Sequence, residues 1–571
     1  MLGWLSRCLP GFSIIALILM LVLAFSDVLN SPQWRSLLPP SPKKSPSNSI
    51  RAELSAPQQV FVFYVVFVHI HMFAFTVRLA WSIFRVTKET RAAIQRRVWQ
   101  TPEASPTLDH GEFLDSSPCS SSQSLPDPSI VKINGITVQE ICDPELIHAI
   151  ILPNYGEDLH TLETTLRVLA SHPRAHSQYE VYLAMEQKED AAADKAARLV
   201  SAFEKSFLRV RTTFHPSGIP GEIAGKSSNV AFAARRIVQI HRTELQTESC
   251  NVMVTVMDAD THLSRDYFTE IRRLHYLHIT EGDRSIYCCP IIFDRNSHES
   301  PILVRCADLL WGVFLATVSG RESWGWDSDP TAIGEDMHML LKCYFETAGN
   351  VISRVVYIPA SQCNVSSDRG RGWRRTLDTC SARYRQALRH MWGALDSGFA
   401  ARRTVGYLRF HQRCLFLRPR HFALLHLLWE AHFMPSHLTI LMVFSVIYTL
   451  WTPVTTMHPA LAWAFSFTNL LRTLGFLGMN VCLVLYERWH TLCLNSRMQD
   501  MREANLSDTG CAQRVWYQPQ YLLDRICFPI AGTIFGAVPT LHAVFSHFWT
   551  DRLVYRVSKK PNFSLEALGV V

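Results

Sequence analysis

Apolar residues along this chain fall into two patterns. The first is long and unbroken. Phe12–Leu29, Val60–Phe84, Phe422–Leu450, Pro459–Leu485 and Tyr521–Trp549 each approach or exceed the ~20 residues that cross a hydrocarbon core. The second fills the polar segment from about Arg85 to Arg420, where short apolar runs alternate with stretches of helical spacing. "ELIHAIILPNYGED" predicts a buried strand entering a loop, and Leu159, Leu162, Leu166 and Leu169 mark a helix. "YEVYLAME", "LRVRTTFHP" and "NVMVTVMDAD" are further strands, separated by "AAADKAARLVSAFEKSF" and "KSSNVAFAARRIVQIH" as helices. Strands alternating with helices predict a parallel α/β sheet covered on both faces.

The two patterns divide the chain. A first spanning segment (1–30) and an external loop (31–59) precede a second span (60–84). A Ser- and Pro-rich linker (85–130) leads to the α/β domain (131–400). Interfacial helices (401–435), a C-terminal membrane region (436–550) and a tail (551–571) follow. Arg7 and the apolar run behind it read as an uncleaved anchor rather than a removable signal, because no small-x-small cleavage site follows. Arg418 and Arg420 just before the third apolar stretch, and Glu430 and His432 within it, predict an interfacial helix, a break at Pro435 and a span over Ser436–Leu450. Gly532, Gly536 and Pro539 make the last stretch a candidate for a re-entrant turn, so the number of crossings stays open.

Charge adds orientation. "RVTKETRAAIQRR" and "ARRTVGYLRFHQRCLFLRPR" flank the α/β domain with basic residues, which predicts that it faces the cytosol. Those flanks account for the net charge of +7, and no nucleic-acid partner is needed. The 15 cysteines form no Cys-x-x-Cys pair, which argues against a zinc site or a disulfide framework. Arg472, Asp524 and Arg525 lie within apolar stretches, where ionisable groups face a partner or a cavity more often than lipid. His69 and His71, inside the second span, read as packed polar residues rather than ligands.

Ligands bind beyond the carboxyl ends of strands in open α/β sheets. Three such ends carry polar groups: Asn154-Tyr155-Gly156-Glu157, Glu186 and Asp258-Ala259-Asp260. An isolated Asp-x-Asp is most often a solvated turn or a helix cap. Paired with a diphosphate it becomes a site for Mg²⁺ or Mn²⁺, held by the hard oxygens of Asp258 and Asp260. Lys226 and Asn229 stand at a helix start that favours an anion. Downstream come Glu335-Asp336, before an amphipathic helix, and Arg383, Arg385, Gln386, Arg389 and Trp392 on another.

Taken in this order, these motifs resemble membrane-embedded family 2 glycosyltransferases, relatives of cellulose, chitin and hyaluronan synthases and of ceramide glucosyltransferase. The resemblance covers about Ile150 to Trp392. It implies a GT-A-like, Rossmann-type parallel-sheet catalytic domain inserted between α-helical transmembrane segments. It also implies a nucleotide-sugar site of Tyr155, Glu157, Glu186, Lys226, Asp258, Asp260 and Arg389, with Asp260 and Asp258 on the metal. Asp336 would be the general base, with Glu335 supporting it, and Gln386 and Trp392 would meet the acceptor. Two positions depart from the family pattern. Glu186 stands where an aspartate is usual, and His390 takes the place of the tryptophan in Gln-x-x-Arg-Trp, with Trp392 two positions later.

The implied activity is inverting transfer from a cytosolic UDP-sugar to a growing polysaccharide, in the plasma membrane or the Golgi. A single transfer onto a lipid acceptor is the alternative. A nucleotide-binding transporter or scaffold is the alternative from another class, motivated by Arg472, Asp524 and Arg525.

Overall fold

The computed structural model describes residues 2–29, 53–100, 132–133, 136–137, 146–223, 225–245, 252–297, 300–307, 314–319, 337–367, 371–409, 418–452, 457–506 and 519–553. The main sheet is built from β1 Ile147–Asn154, β2 Tyr179–Glu186, β3 Arg209–His215, β4 Val252–Val256, β5 His262–Leu263, β6 Ser285–Phe293, β7 Phe314–Ser319, β8 Ile352–Val355 and β9 Ala360–Gln362. Their order is β3-β2-β1-β4-β7-β6-β9-β5, with β8 beside β6.

The strands β3, β2, β1 and β4 are parallel, as the alternation of strands and helices requires. Beyond β4 the sheet is mixed, because β7 runs antiparallel to both β4 and β6. A parallel neighbour needs a crossover laid over the sheet. The short helix between β6 and β7, Ile302–Cys306, packs instead against helix Pro519–Gly532.

β1 explains why its sequence is a continuous apolar run. Ile150 and Leu152 point to one face, where they meet Leu162, Leu166, Leu199 and Ile271 of three helices. Ala149 and Ile151 point to the other, against Val230, Ala233, Leu341 and Phe345. Successive side chains alternate between faces, so a strand covered on both sides must be apolar throughout. Each fully buried Ile or Leu contributes roughly 1.5–3 kcal/mol.

Five helical segments are long and apolar enough to cross a membrane: Leu9–Ser26, Ala56–Arg96, Met434–Trp451, Pro459–Glu503 and Leu522–Ser546. Phe63, Leu450 and Ile526 on them point outward and are exposed, as side chains meeting lipid would be. Helix Pro419–His432 ends at Phe433, and Pro435 enters the first turn of Met434–Trp451, where its missing N–H costs nothing. The last segment stays helical through Pro519–Gly532, a π turn over Thr533–Ala537 and Val538–Ser546. The re-entrant turn for which its glycines made it a candidate does not form.

One expectation is corrected. Residues 85–100 do not begin the linker but extend helix Ala56–Gln100. Their sequence is rich in good helix formers, and elongating an existing helix avoids the cost of nucleation. Ala93 joins the core of the α/β domain, and Arg96 reaches Glu270 at 3.4 Å. Helix Pro459–Glu503 likewise outruns its apolar stretch. Its Tyr486, Trp489 and Cys493 enter the same core, and Arg497 lies 3.2 Å from His262 and 3.5 Å from Asp294. The two long helices lie side by side, so closely that a Cβ on Gly478 would come within 2.7 Å of Thr76 Cγ2. Asp524 also binds the domain: Arg305 of helix Ile302–Cys306 donates to it at 2.8 and 3.1 Å, and both are buried.

Candidate active site

The carboxyl ends of β1, β2 and β4 form one edge, and each delivers its polar group there. After β1 the chain turns at Gly156, whose φ of 70° is a left-handed conformation that glycine adopts without strain. The Gly156 N–H donates to Glu189 Oε2 at 3.0 Å. Lys195 ties the turn down by donating both to Glu189 and, at 2.7 Å, to the Glu157 carbonyl. Tyr155 is half-buried, with Lys188 Nζ 4.3 Å from its ring centroid.

At the end of β2, Glu186 is buried and 3.3 Å from His215 Nδ1 at the end of β3. His215 Nε2 lies 3.0 Å from Glu222, which accepts from Arg235 at 3.2 Å. Burial pushes the Glu186 carboxyl above the usual range, and His215 opposes the shift.

Asp258 and Asp260 occupy a tight turn two residues beyond β4, with the Thr261 N–H on the Asp258 carbonyl at 3.0 Å. Neighbours clamp that turn. Thr165 Oγ1 donates to the Ala259 carbonyl at 2.6 Å, and Arg295 to the Asp260 carbonyl at 2.8 Å. Asp260 is only 4% exposed, so this is no solvated surface turn. Helix Lys226–Gln239 starts opposite it. Lys226 Nζ is 2.5 Å from Asp258 Oδ1, while Gln362 Nε2 donates to Asp258 Oδ2 at 3.2 Å and to Thr261 Oγ1 at 3.0 Å. Asn229 anchors that helix to the sheet through the Ala184 carbonyl at 2.8 Å.

Helix Trp373–Met391 closes the other side. Arg383 is buried over the Phe293 ring and donates to Gln386 Oε1 at 2.7 Å. His390 is exposed, and it feels the charges of Arg389, Arg383, Asp258 and Lys226. Loss of bulk water, reinforced by the two arginines, pulls its imidazole down to about 3.

Trp392 does not join this group. It starts the turn Trp392–Ala394 after the helix has ended, is 4% exposed, and donates to the Asp551 carbonyl at 3.1 Å. Its ring meets His547 edge-on, with centroids 4.9 Å apart. Trp392, expected at the acceptor, thus packs beside the C-terminal helix through Asp551 and His547. Glu335 and Asp336 lie outside the described residues. Sequence reasoning also missed Gln362, His215, Lys188 and Arg295, none of which belongs to a short motif.

Residues 309–467 match the family described as Glycosyl transferase family group 2. That match supports a glycosyltransferase activity for the chain. The matched part of the glycosyltransferase takes in Glu335, Asp336, Gln386, Arg389 and helix Met434–Trp451, whereas the acids after β1, β2 and β4 lie before it. Two solved structures of S. aureus TarS are similar at 11% identity and a TM-score of 0.25. The one of residues 1–349 covers 62% of this chain and 92% of its own; the other covers 61% and 55%. A likeness this low bears on neither fold nor function. No curated protein matches the glycosyltransferase.

Proposed function

We propose that this glycosyltransferase is embedded in a membrane, takes its sugar from a cytosolic UDP-sugar and adds it with inversion to a growing polysaccharide. The observation that carries this reading is the field around His390. A helix within the family match brings His390 into the electrostatic field of Asp258 and Lys226, which precede that match by many residues. This proximity supports a cleft shared by donor-side and acceptor-side groups. The five apolar helices and the basic segments flanking the domain support membrane insertion with the domain on the cytosolic side.

In this reading Tyr155, with Lys188 over its ring, offers an aromatic surface to the base, and Glu157 and Glu186 offer carboxylates to its polar edge. Lys226 exchanges Asp258 for a diphosphate oxygen when the donor arrives. Hard oxygens on Asp258 and Asp260 fit Mg²⁺ or Mn²⁺, and among the described residues no third carboxylate, histidine or cysteine completes a set with them. The remaining positions suit diphosphate oxygens and water. When bound, the cation would neutralise charge on the departing UDP.

Asp336 takes the proton of the acceptor hydroxyl while that oxygen attacks the anomeric carbon from the face opposite the diphosphate. The bond from that carbon to the diphosphate oxygen breaks, and its electron pair leaves with UDP beside Arg389. Gln386, held by Arg383, lies on the acceptor side.

The test uses membranes carrying the full chain, Mn²⁺ or Mg²⁺ and a panel of UDP-sugars, with UDP release as the readout. Release with one sugar should fall by about 10³-fold or more for Asp336→Asn, as for loss of an essential acid–base group, and should vanish with chelator. The labelled product should be a polymer on a gel. Unchanged release from the folded Asp336→Asn protein overturns the assignment of the base, and a purely lipid-soluble product overturns the polymer.

A further inference from the structure

Outside the cleft, one cluster has the chemistry of a binding site that the transfer reaction does not use. Helix Ala56–Gln100 brings His71 against helix Pro419–His432 at His426 and Glu430, which are four residues apart and so share a face. His71 Nε2 is 2.7 Å from Glu430 Oε1, and His426 Nε2 is 3.8 Å from the same oxygen. One ligand atom from each residue lies within 4.8 Å of the other two. Trp429 walls the group, with its ring edge-on to His71 at 4.8 Å between centroids.

We propose that His71, His426 and Glu430 bind a transition-metal cation of the Zn²⁺ class, with water as a fourth ligand. Two imidazoles and one carboxylate are a tetrahedral zinc set, whereas the carboxylate pair at Asp258 and Asp260 suits a hard cation. Bonds of 2.0–2.1 Å separate tetrahedral ligands by about 3.3 Å. The distances of 2.7 and 3.8 Å from Glu430 Oε1 bracket that spacing.

Access comes through His426, whose side chain is 43% exposed, while Glu430 is 8% exposed and held in place. Arg78 contacts both Glu430 oxygens, at 2.5 and 2.6 Å. With metal bound it keeps the outer oxygen, as hydrogen-bonded partners of metal carboxylates do. The ion would staple the amphipathic helix to the second span. The competing explanation is that Glu430 is only the counter-ion of Arg78, and the two make opposite predictions for removal of Arg78.

The experiment titrates Co²⁺ into metal-stripped full-length protein in detergent and follows the visible absorption of tetrahedral cobalt. One equivalent should bind and be displaced by Zn²⁺. His426→Ala and His71→Ala should each abolish the band, and Asp260→Asn should keep it. Arg78→Ala should raise Co²⁺ affinity at least about fivefold, because a unit positive charge within ~4 Å of the ligand oxygen is gone. No band in the folded native protein, a band that survives His426→Ala, or one lost in Asp260→Asn would overturn the proposal. Because His426 is exposed, its substitution keeps the test open even if the His71 variant does not fold.

Discussion

β2 carries a buried glutamate near each end, and the two have opposite surroundings. Glu180, at the start of the strand, is 0% exposed and accepts hydrogen bonds from Arg209, from Tyr182 at 2.8 Å and from His241 at 2.9 Å. Burial alone would raise its pKa, but His241, Tyr182 and Arg209 outweigh it and hold the carboxyl down at about 2. Glu186, at the other end, has His215 as its neighbour at 3.3 Å, and burial keeps its carboxyl above the usual range. The same residue type in the same strand is saturated at one end and under-satisfied at the other. A buried carboxylate with all its partners stabilises a fold; one short of partners can accept a ligand's donors.

That contrast can be broken most severely at Glu180. Glu180→Ala leaves Arg209 and His241 around an empty buried site and should cost about 3–5 kcal/mol, the usual result of removing one partner of a buried pair. Thermal unfolding of the full chain in detergent reads this out, and a native-like midpoint would mean that the network at this end is not structural.

The pH dependence is next in size. Because the folded pKa of Glu180 lies at about 2, below the ordinary 4.5, its contribution is complete above about pH 4.5 and is lost as pH falls toward 2. The amount is roughly 3 kcal/mol from the size of that shift. The unfolding midpoints of native and Glu180→Gln protein should therefore converge as pH falls from 5 to 3. A gap that stays constant would show that the carboxylate does not titrate as described.

At the open end the expected effect moves from stability to binding. Glu186→Gln should raise the KM for the donor about tenfold, in line with loss of one hydrogen bond to a charged group. Its turnover number should change less than about threefold and its melting midpoint should not fall. A loss of stability with an unchanged KM would make Glu186 a second Glu180. The smallest effect belongs to His390. With its imidazole at about 3, it does not titrate between pH 5 and 8, so His390→Gln should leave the shape of the pH–rate profile over that range unchanged.

Much of this was legible in local sequence. β1, β2 and β4 are apolar runs bounded by turn residues, and a strand that ends in acids delivers them to the edge of its sheet whatever surrounds it. The break before Pro435 follows equally from one residue's missing N–H. What stayed hidden involves partners far apart in the chain. Gln362 is 104 residues from the Asp258 it contacts, and no spacing rule connects them. Trp392 meets Asp551, 159 residues away, just beyond the end of its helix at Met391, and no local spacing announces that contact. The polar composition of residues 85–100 reads as linker, although their charges ride on a helix whose Ala93 is buried in the domain.

By itself, then, the sequence determined the strands, the helices, the apolar spans and the acids at the strand ends, because periodicity and chain stiffness act over a few residues. Only the tertiary structure decided which of those groups meet. It set Lys226 and Gln362 on the two oxygens of Asp258, brought His390 into their field and turned Trp392 away. It also joined His71 to Glu430 across 359 residues. Such meetings depend on how whole elements pack, and packing is settled by the summed burial of surfaces that no short stretch of sequence contains.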